Sequence, residues 1–342
     1  MNDVRVPASA ADLTAGWLRG ILAGQVPAEL PGLTVARIGA EFGLASELYR
    51  VHGGEWSVVV KLWDTSSVAG TREVRFFQTF APDTGPKVPA CHFAAIDDAL
   101  ERAVLVLEDL HDVEQGDCLT RLTTKPAVLL AQSLAALHAT WWNRPELANA
   151  EWLLTMPPTS RDDAWYAERR DLVLTRFEAR LNGVARDIVD DGPMVASYAR
   201  RQLTDVAPTL LHRDLHLDNI LFDLTNGEPI LLDWALASRG AAIHDVVKLV
   251  FTIAELDDFD TVVNAYVAEL RRRGVGELWR DELIRQLGPA LLLFVVNDTY
   301  GKARWEPGSP REEKIIDTEI TRVVQAVEFW QRRQPELFDN LR

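Results

Sequence analysis

Cysteine is nearly absent from this chain of 342 residues, which contains only Cys91 and Cys118. Two cysteines without a CxxC pair supply neither a disulfide framework nor a cysteine-rich metal site. Long apolar runs are also missing. The most apolar stretch, residues 287–296, contains Gly288 and Pro289 and is too short to cross a bilayer. We interpret it as a buried helix and, because no basic-then-apolar signal opens the chain, expect a cytoplasmic protein.

Positively charged residues are also fewer than negatively charged ones. The chain has 36 lysines and arginines against 51 aspartates and glutamates, a formal net charge of −15. This balance argues against nucleic acid or an anionic membrane as a standing partner and leaves a cationic substrate open. With 47% hydrophobic residues the chain can bury a large core, but it exceeds the length at which a single core stops growing. We therefore expect two domains, as a monomer or a homodimer.

The most informative segment is residues 212–222, which read HRDLHLDNILF. It matches the protein-kinase catalytic loop, H-R-D-L-x-x-x-N, at every fixed position. In that loop the aspartate lies near the attacking hydroxyl and the asparagine binds magnesium. Asp214 is therefore the candidate catalytic residue, and Asn219 is the candidate ligand for Mg²⁺.

A second magnesium ligand is expected on a nearby strand. Residues 219–223 and 229–233 read as two short strands joined by a Thr-Asn-Gly turn, a hairpin that returns Asp233 toward Asn219. Taken alone, the Asp-Asn pair is explained as a turn, His212 as a core histidine and Asp233 as the end of a strand. A carboxylate, an amide five residues later and a second carboxylate after an apolar run together favour a kinase, since a charge there is otherwise costly.

The first third of the chain reads as strands and the remainder as helices. Strands are predicted at residues 34–38, 48–51, 56–63, 91–96 and 103–107, with a helix capped by Ser9 before them and another at 71–79. Further helices are predicted at 123–142, 161–181, 194–203, 244–256, 259–273, 279–300 and 312–334. This pattern predicts a nucleotide-binding N-lobe, residues 1–110, and a helical C-lobe, residues 111–342, that carries the catalytic loop and the acceptor site.

A kinase needs a cation on the nucleotide phosphates, and Lys61 is the only lysine within a strongly apolar strand. A lysine there often reaches from the strand edge to water. Glu73, on the next predicted helix, is spaced to hold the amine as the kinase Lys-Glu pair does. A surface role for Glu73 stays open, because Arg72 and Arg75 lie beside it.

The loop that covers the phosphates should lie at residues 39–47, between the first two strands. It does not fit G-x-G-x-x-G, but Gly43 permits a tight turn and Ser46 offers a hydroxyl. The strand that ends at the lobe boundary would present the backbone groups of Glu108 and Leu110 to adenine.

Eight segments carry a family resemblance. They are GL at 43–44, SELYR at 46–50, VK at 60–61, REVRFF at 72–77, LEDL at 107–110, LAALHA at 134–139, the catalytic loop, and LDW at 232–234. Together they resemble the aminoglycoside phosphotransferase and choline kinase-like branch of the protein-kinase fold. Within it the likeness is nearest to the ecdysteroid kinase-like small-molecule phosphotransferases, over about residues 10–300.

The resemblance implies an α+β, bilobal, protein-kinase-like fold with a small antiparallel-sheet N-lobe and a larger, mainly helical C-lobe. It implies that ATP and Mg²⁺ are the cofactors, with GTP left open by the loose glycine loop. Asp214 would be the base or hydroxyl-orienting residue, and Asn219 with Asp233 would hold Mg²⁺. His216 stands where protein kinases carry a lysine near the transferred phosphate, and Asp245 would be a buried structural residue.

The departures from the protein-kinase pattern concern the acceptor. Only eleven residues separate Asp233 from Asp245, without an Ala-Pro-Glu sequence, so the chain has no room for an activation segment that would dock a protein. A hydroxyl of a small molecule is the favoured acceptor, and a protein kinase is less favoured. A nucleotide-binding pseudokinase or regulator is expected to lack one of Lys61, Asp214, Asn219 or Asp233, and all four are present.

The acceptor pocket should be walled by aromatic and polar residues of the C-lobe. The chain has eleven tryptophans, most of which core packing explains. Trp142, Asp298 and Tyr300 are the candidate acceptor residues, although the last two also suit a simple helix end. A pocket that pairs aromatic faces with Asp298 suits either a cationic aminocyclitol or an amphipathic alcohol. An aminoglycoside-, choline-, sugar- or steroid-like alcohol is therefore the expected acceptor, and the sequence does not name one.

Overall fold

A five-stranded antiparallel sheet forms the first part of the fold. The computed structural model describes residues 6–39, 46–66, 70–156, 161–203, 206–276 and 280–339. The strand order in the sheet is β1-β2-β3-β5-β4. Two helices accompany it, α1 (Ala15–Ile21) and α2 (Arg72–Thr79). The strands are β1 (Thr34–Ile38), β2 (Glu47–Gly53), β3 (Trp56–Asp64), β4 (Cys91–Asp97) and β5 (Arg102–Glu108).

The two faces of this sheet bury different cores. Because successive side chains of a strand point to opposite faces, Val58, Val60 and Leu62 of β3 enter a small core that also contains Leu18 of α1. Trp63 belongs instead to the main core, which continues into the helical part of the chain. Lys61 has the same parity as Trp63. The alternation of β3 therefore directs Lys61 to the face on which α2 packs.

The rest of the described chain is mainly helical, with two small three-stranded sheets. The sheets are β10-β9-β6 and β7-β11-β8. Their strands are β6 (Val113–Gln115), β7 (Leu154–Thr155), β8 (Pro208–Leu211), β9 (Ile220–Asp223), β10 (Pro229–Leu231) and β11 (Ser238–Ala241). The helices are α3 (Thr124–Thr140), α4 (Pro145–Asn149), α5 (Asp163–Phe177), α6 (Gly183–Asp190), α7 (Gly192–Gln202), α8 (Ile243–Lys248), α9 (Phe259–Arg272), α10 (Arg280–Lys302), α11 (Pro310–Arg333) and α12 (Pro335–Asp339).

The main core connects α2 to the segment that follows β10. Phe76 of α2 stacks on Trp234, with ring centroids 3.9 Å apart and an interplanar angle of 6°. Both side chains are fully buried. Such a pair contributes roughly 0.5–1.5 kcal/mol beyond the burial of its area. Arg72 Nε also donates to the Ala235 carbonyl at 2.8 Å, so α2 is held against residues 234–235 by two contacts.

Most predicted elements are present with ends shifted by a few residues, and the hairpin of β9 and β10 is confirmed. The first helix was predicted with the wrong cap. Ser9 begins a separate 3-10 turn, because the Asp12 carboxylate accepts from the Ser9 N–H at 3.0 Å, whereas Thr14 caps α1 by accepting from the Trp17 N–H. Residue 279, predicted to start a helix, lies outside the described residues.

The apolar stretch at residues 287–296 is confirmed as buried helix within α10. None of the described helices is long and apolar enough to cross a membrane. The sequence pattern did not predict α6 or the short strands β6, β8 and β11. The division into domains at residue 110 stays a prediction, although β5 ends at Glu108 and β6 joins the sheet of β9.

Candidate active site

The catalytic loop follows β8 and is held by a buried carboxylate. Asp245, in the first turn of α8, accepts from the backbone N–H groups of His212 at 2.7 Å and Arg213 at 3.0 Å. His138 Nε2 lies 3.4 Å from the same carboxylate. Burial raises the pKa of Asp245, but the contact with His138 and the nearby charges outweigh it and lower the pKa to about 2. Asp245 therefore stays charged and fixes the loop backbone.

His212 is a core residue. It is fully buried, and its Nε2 donates to the Leu232 carbonyl at 2.8 Å. Its ring packs 4.6 Å from the ring of Trp234. Burial lowers the pKa of His212, so the ring is neutral. This histidine links the catalytic loop to the strand that leads to Asp233.

Asp214, His216 and Asn219 form one hydrogen-bonded group. Asn219 Nδ2 lies 3.1 Å from Asp214 Oδ2 and 3.0 Å from His216 Nε2. Burial raises the pKa of Asp214, but contact with His216 and the charges of His216 and Lys248 hold it well below its usual range. Asp214 is therefore a carboxylate that can accept a hydrogen bond.

Lys61, Glu73 and Asp233 meet in the structure. Lys61 Nζ lies 2.7 Å from Glu73 Oε2 and 3.3 Å from Asp233 Oδ2. Glu73 is only 1% exposed, and its other oxygen accepts from the Trp234 N–H at 3.3 Å. Burial lowers the pKa of Lys61, but the charges of Asp233 and Glu73 outweigh it and raise the pKa. The surface role left open for Glu73 is therefore excluded by its burial.

Lys61, Glu73 and Asp233 line a cavity of about 410 Å³. Its apolar walls include Leu48, Val59, Leu107, Leu221 and Leu232. Of the predicted site residues, Ser46, Lys61, Glu73, Glu108, Leu110, Asn219 and Asp233 also line it. Gly43 lies outside the described residues.

The backbone at the end of β5 has a specific hydrogen-bonding pattern. The Glu108 N–H donates to the Ala90 carbonyl at 2.8 Å, and the Glu108 carboxylate accepts from the Ala90 N–H. Within the described ranges, the Leu110 N–H has no hydrogen-bond partner. The Glu108 N–H is therefore not available to adenine. The Glu108 carbonyl and the backbone of Leu110 stay as the predicted partners of adenine.

The residues present fit a hard divalent cation. The Asn219 amide nitrogen points to Asp214 and His216, which leaves its oxygen for a metal, while Asp233 is 34% exposed at its side chain and lines the same cavity. Carboxylate and amide oxygens are donors that Mg²⁺ accepts. Asp233 has a φ of 55°. Such strain in a residue other than glycine persists where the surroundings dictate it, often at functional sites.

Two of the predicted acceptor residues are bound by other parts of the protein. Tyr300 is fully buried in the core and donates its hydroxyl to the Val189 carbonyl at 2.8 Å, so it has no access to a bound substrate. Asp298 forms an ion pair with buried Lys302 at 2.6 Å. Trp142 is half-buried against the main core just after α3. Tyr300 is therefore explained as a buried residue near the end of α10.

Sequence reasoning missed two charged contacts at the cavity. Arg50 of β2 lies 3.0 Å from both carboxylate oxygens of Asp109 at the cavity wall. Arg311 of α11 lies 2.9 Å from Asp218, the residue before Asn219. No local pattern signals either contact, since each joins residues about sixty or more positions apart.

Asp218 also belongs to the one cluster of metal-ligand type found among the described residues. Asp117, Cys118 and Asp218 bring their side-chain donors together. Arg311 Nη2 lies 3.0 Å from Asp117 as well, and the Cys118 N–H donates to Asp218 at 2.7 Å. Because a guanidinium already neutralises these carboxylates, we interpret the cluster as an anchor between α11 and the catalytic loop.

The sheet, the helical part and the catalytic loop between them define a protein-kinase-like fold. The chain belongs to the phosphotransferase enzyme family, which matches residues 39–283. This confirms the resemblance to the aminoglycoside phosphotransferase and choline kinase-like branch. No curated protein matches the chain by sequence.

Solved structures with the same fold are distant in sequence. The chain is similar to a putative aminoglycoside phosphotransferase from Ralstonia eutropha, with 14% identity, a TM-score of 0.60 and coverage of 96% of this chain and 99% of that chain. It is also similar to a mutant aminoglycoside 2′-phosphotransferase-IIIa in its GDP complex, with 15% identity, a TM-score of 0.55 and coverage of 94% and 98%. An ethanolamine kinase from Plasmodium vivax has 14% identity, a TM-score of 0.55 and coverage of 95% and 97%.

Proposed function

We propose that this protein is a Mg²⁺-dependent kinase that transfers the γ-phosphate of ATP to a hydroxyl of a small molecule. One observation carries the proposal. Lys61, Asn219 and Asp233 line one cavity, and Asp214 lies one hydrogen bond from Asn219. A cation, two candidate metal ligands and a free carboxylate are the parts that phosphoryl transfer requires of a protein.

The cavity suits a nucleotide. Its apolar walls would enclose the base, with the Leu110 N–H as a donor and the Glu108 carbonyl as an acceptor. Lys61, held by Glu73, would contact the α- and β-phosphates. The related phosphotransferase in its GDP complex supports nucleotide use and keeps GTP open beside ATP.

Asn219 and Asp233 would hold Mg²⁺, which neutralises charge on the phosphates when bound. Asp214 would accept a hydrogen bond from the acceptor hydroxyl and orient its oxygen toward the γ-phosphorus. Because its pKa is lowered, Asp214 is ionised at neutral pH and contributes mainly by orientation. His216, beside both Asp214 and Asn219, would lie near the transferred phosphate.

A small molecule is favoured over a protein as the acceptor. The eleven residues between Asp233 and Asp245 form a short turn and β11, and then lead into α8. An activation segment that would position a peptide has no length to form there. Aminoglycoside-, choline-, sugar- and steroid-like alcohols are the candidate acceptors.

The function is tested by Mg²⁺-dependent consumption of ATP and GTP with a panel of hydroxylated small molecules. The panel contains amino alcohols, sugars, aminocyclitols and sterols, and casein is the control acceptor. We expect phosphate transfer to at least one small molecule and none to casein. Transfer to casein alone would indicate a protein kinase. MgATP binding in calorimetry without transfer to any member of the panel would indicate a pseudokinase.

A further inference from the structure

A short turn of the catalytic loop carries Asn219. Residues 217–219 form a 3-10 turn, and the Asn219 N–H donates to the His216 carbonyl at 2.9 Å. The Asn219 carbonyl accepts from the Leu232 N–H at 2.9 Å, directly before Asp233. Because the backbone of Asn219 is fixed by these contacts, any shift of the turn would also move the amide oxygen that faces the metal.

The end of β6 packs against this turn from one side. Gln115 Nε2 donates to the Asp218 carbonyl at 2.7 Å, and the Gly116 N–H donates to the Ile220 carbonyl at 2.9 Å. A Cβ atom on Gly116 would lie 2.6 Å from the Leu217 carbonyl oxygen, so a side chain has no room there. The backbone of the turn is therefore held by direct contact with a neighbouring segment.

The side chain of Asp218 connects the turn to α11. Asp218 is 7% exposed and directly precedes Asn219, and both residues line the cavity. Arg311 Nη2, in the first turn of α11, lies 3.0 Å and 2.9 Å from the two oxygens of Asp218. The Cys118 N–H donates to the same carboxylate at 2.7 Å. Charge-assisted contacts of this kind hold a carboxylate in one orientation.

The helix that carries Arg311 is itself fixed to the neighbouring segment. Arg322, about three turns further along α11, is 7% exposed. Its guanidinium donates to the Cys118 carbonyl at 2.7 Å and to the Thr120 carbonyl at 2.6 Å. The whole of α11 lies beyond residues 39–283, over which the chain matches its family. Arg311 therefore acts from a supported helix outside the matched part of the chain.

We propose that Arg311 is a positioning residue for the metal site, because it holds Asp218 and thereby the turn that presents Asn219 to Mg²⁺. The inference rests on the proposed role of Asn219 as a ligand. The charge of Arg311 acts in the opposite direction, since a positive group beside a bound cation repels it. Positioning and repulsion therefore predict opposite signs for the effect of removing Arg311 on Mg²⁺ binding.

Binding of ADP as a function of Mg²⁺ concentration separates the two effects. Calorimetry gives the Kd of ADP in EDTA and the Mg²⁺ concentration that produces half of the tightening. Arg311→Gln should raise this concentration by about tenfold, as loss of a group that supports a metal ligand does, and leave the Kd in EDTA unchanged. Arg311→Lys should stay within about threefold of the wild type, because an ammonium still reaches one carboxylate oxygen.

An unchanged or lower half-saturating Mg²⁺ concentration in Arg311→Gln would overturn the inference. A lower value would show that repulsion dominates, or that Asp218 binds the metal itself once the guanidinium is removed. Arg180→Gln is the matched control, because Arg180 also pairs with α11, through Asp317 at 2.7 Å. The control should bind Mg²⁺ like the wild type. An equal rise in both variants would mean that any loosening of α11 has this effect, and would refute a specific role for Arg311.

A double-mutant cycle tests whether Arg311 acts through Asp218. Asp218→Asn should raise the half-saturating Mg²⁺ concentration by about tenfold, and the double variant should be no worse than either single variant. Additive effects would contradict the inference. If Arg311→Gln does not fold, as its Tm would show, Asp218→Asn and Arg311→Lys decide. Wild-type Mg²⁺ binding in Asp218→Asn would then overturn the inference.

The same measurement distinguishes this inference from the proposed function. ADP binding by the wild type that does not respond to Mg²⁺ would overturn the proposed function and the inference with it. A clear Mg²⁺ response that is equal in the wild type and in Arg311→Gln would overturn the inference alone.

Discussion

The charged residues around the catalytic loop differ in how they are paired. In the cavity, buried Lys61 has two carboxylate partners, Glu73 and Asp233, within 3.3 Å. Beside the catalytic loop aspartate and at the end of α8, the side chains of Arg213 and Lys248 are half-buried and form no hydrogen bond or ion pair with another described residue. Paired charges fix geometry, because each holds the other in place. Unpaired charges have no such restraint.

The difference also separates stability from function. A buried ion pair loses several kcal/mol when one partner is removed, since the other is left uncompensated. An unpaired, half-buried cation destabilises the free protein, so its removal should be neutral or stabilising. Variants of the paired and of the unpaired charges should therefore differ in their effect on stability.

The largest effect is expected from Asp214→Asn. The amide is uncharged, so it accepts a hydrogen bond from the hydroxyl more weakly than the carboxylate does and cannot take up the proton. We therefore expect kcat to fall at least about a thousandfold, or ~4 kcal/mol, while nucleotide affinity stays unchanged. Steady-state kinetics and calorimetry with MgADP measure the two quantities. Retention of more than roughly a tenth of wild-type turnover would remove Asp214 from its role.

Asp233→Ala should affect the nucleotide side almost as strongly. Loss of a metal ligand leaves phosphate charge uncompensated, so MgATP affinity should fall by more than about a hundredfold together with activity. Asn219→Ala should be milder. Calorimetry with and without Mg²⁺ measures the effect, and unchanged MgATP affinity in the Asp233 variant would exclude it as a ligand.

Two lysine variants compare paired and unpaired cations by stability. Lys302→Met leaves Asp298 and Glu319 buried without their ion-pair partner, so the free energy of unfolding should fall by about 3 kcal/mol. Lys248→Met should change it by less than about 0.5 kcal/mol or increase it. Urea unfolding of both variants measures this, and equal losses would contradict the distinction between paired and unpaired cations.

The Lys61 and Glu73 pair is tested by a double-mutant cycle. Lys61→Ala should lower kcat/KM for ATP by about a hundredfold, and Glu73→Ala by less, because the glutamate acts through the lysine. The double variant should be hardly worse than Lys61→Ala alone. Additive losses in the cycle would mean that the two residues act independently despite their contact of 2.7 Å.

The smallest effect concerns His244, a buried histidine of α8 whose Nε2 has no hydrogen-bond partner among the residues that the structure describes. Burial, helped by the charge of Arg213, lowers its pKa from 6.5 to about 3. Below about pH 6.5 the unfolded chain binds a proton that the folded protein does not, so stability falls as pH falls through this range.

Between about pH 7.5 and about pH 5.5 this histidine should account for about 1.4 kcal/mol of lost stability. The variant His244→Gln lacks the titrating group and should lose that much less over the same range. Urea unfolding of both proteins at the two pH values measures the difference. Identical pH dependence of the two proteins would show that His244 titrates normally in the folded state.

Much of the candidate active site could be predicted from local sequence. The catalytic loop is eight consecutive residues, and its fixed spacing already placed Asp214 and Asn219 on one turn. The hairpin of β9 and β10 followed from a short turn between apolar runs, so the return of Asp233 was predictable. Lys61 stood out because a charge within an apolar strand needs a partner, and the next helix offered Glu73.

The environment of the candidate acceptor residues could not be predicted, because it depends on helices far apart in the sequence. Tyr300 and Asp298 were chosen as a polar cluster at the end of an apolar run. Only packing shows that Tyr300 binds the backbone of α6 and that Asp298 pairs with Lys302. No spacing in the sequence distinguishes a polar group that faces a pocket from one that satisfies a neighbouring helix.

The sequence alone determined the fold class, the catalytic loop and the choice of Lys61, Glu73 and Asp233, which line the cavity, since motif spacing and strand period are local properties of a chain. Tertiary structure decided which charges are paired. The contacts of Glu73 with the residue after Asp233, of Asp218 with Arg311, and of Lys302 with Glu319 join separate elements of the fold. Whether a charge is neutralised within the protein or left for a ligand depends on distance and burial, which only the folded chain defines.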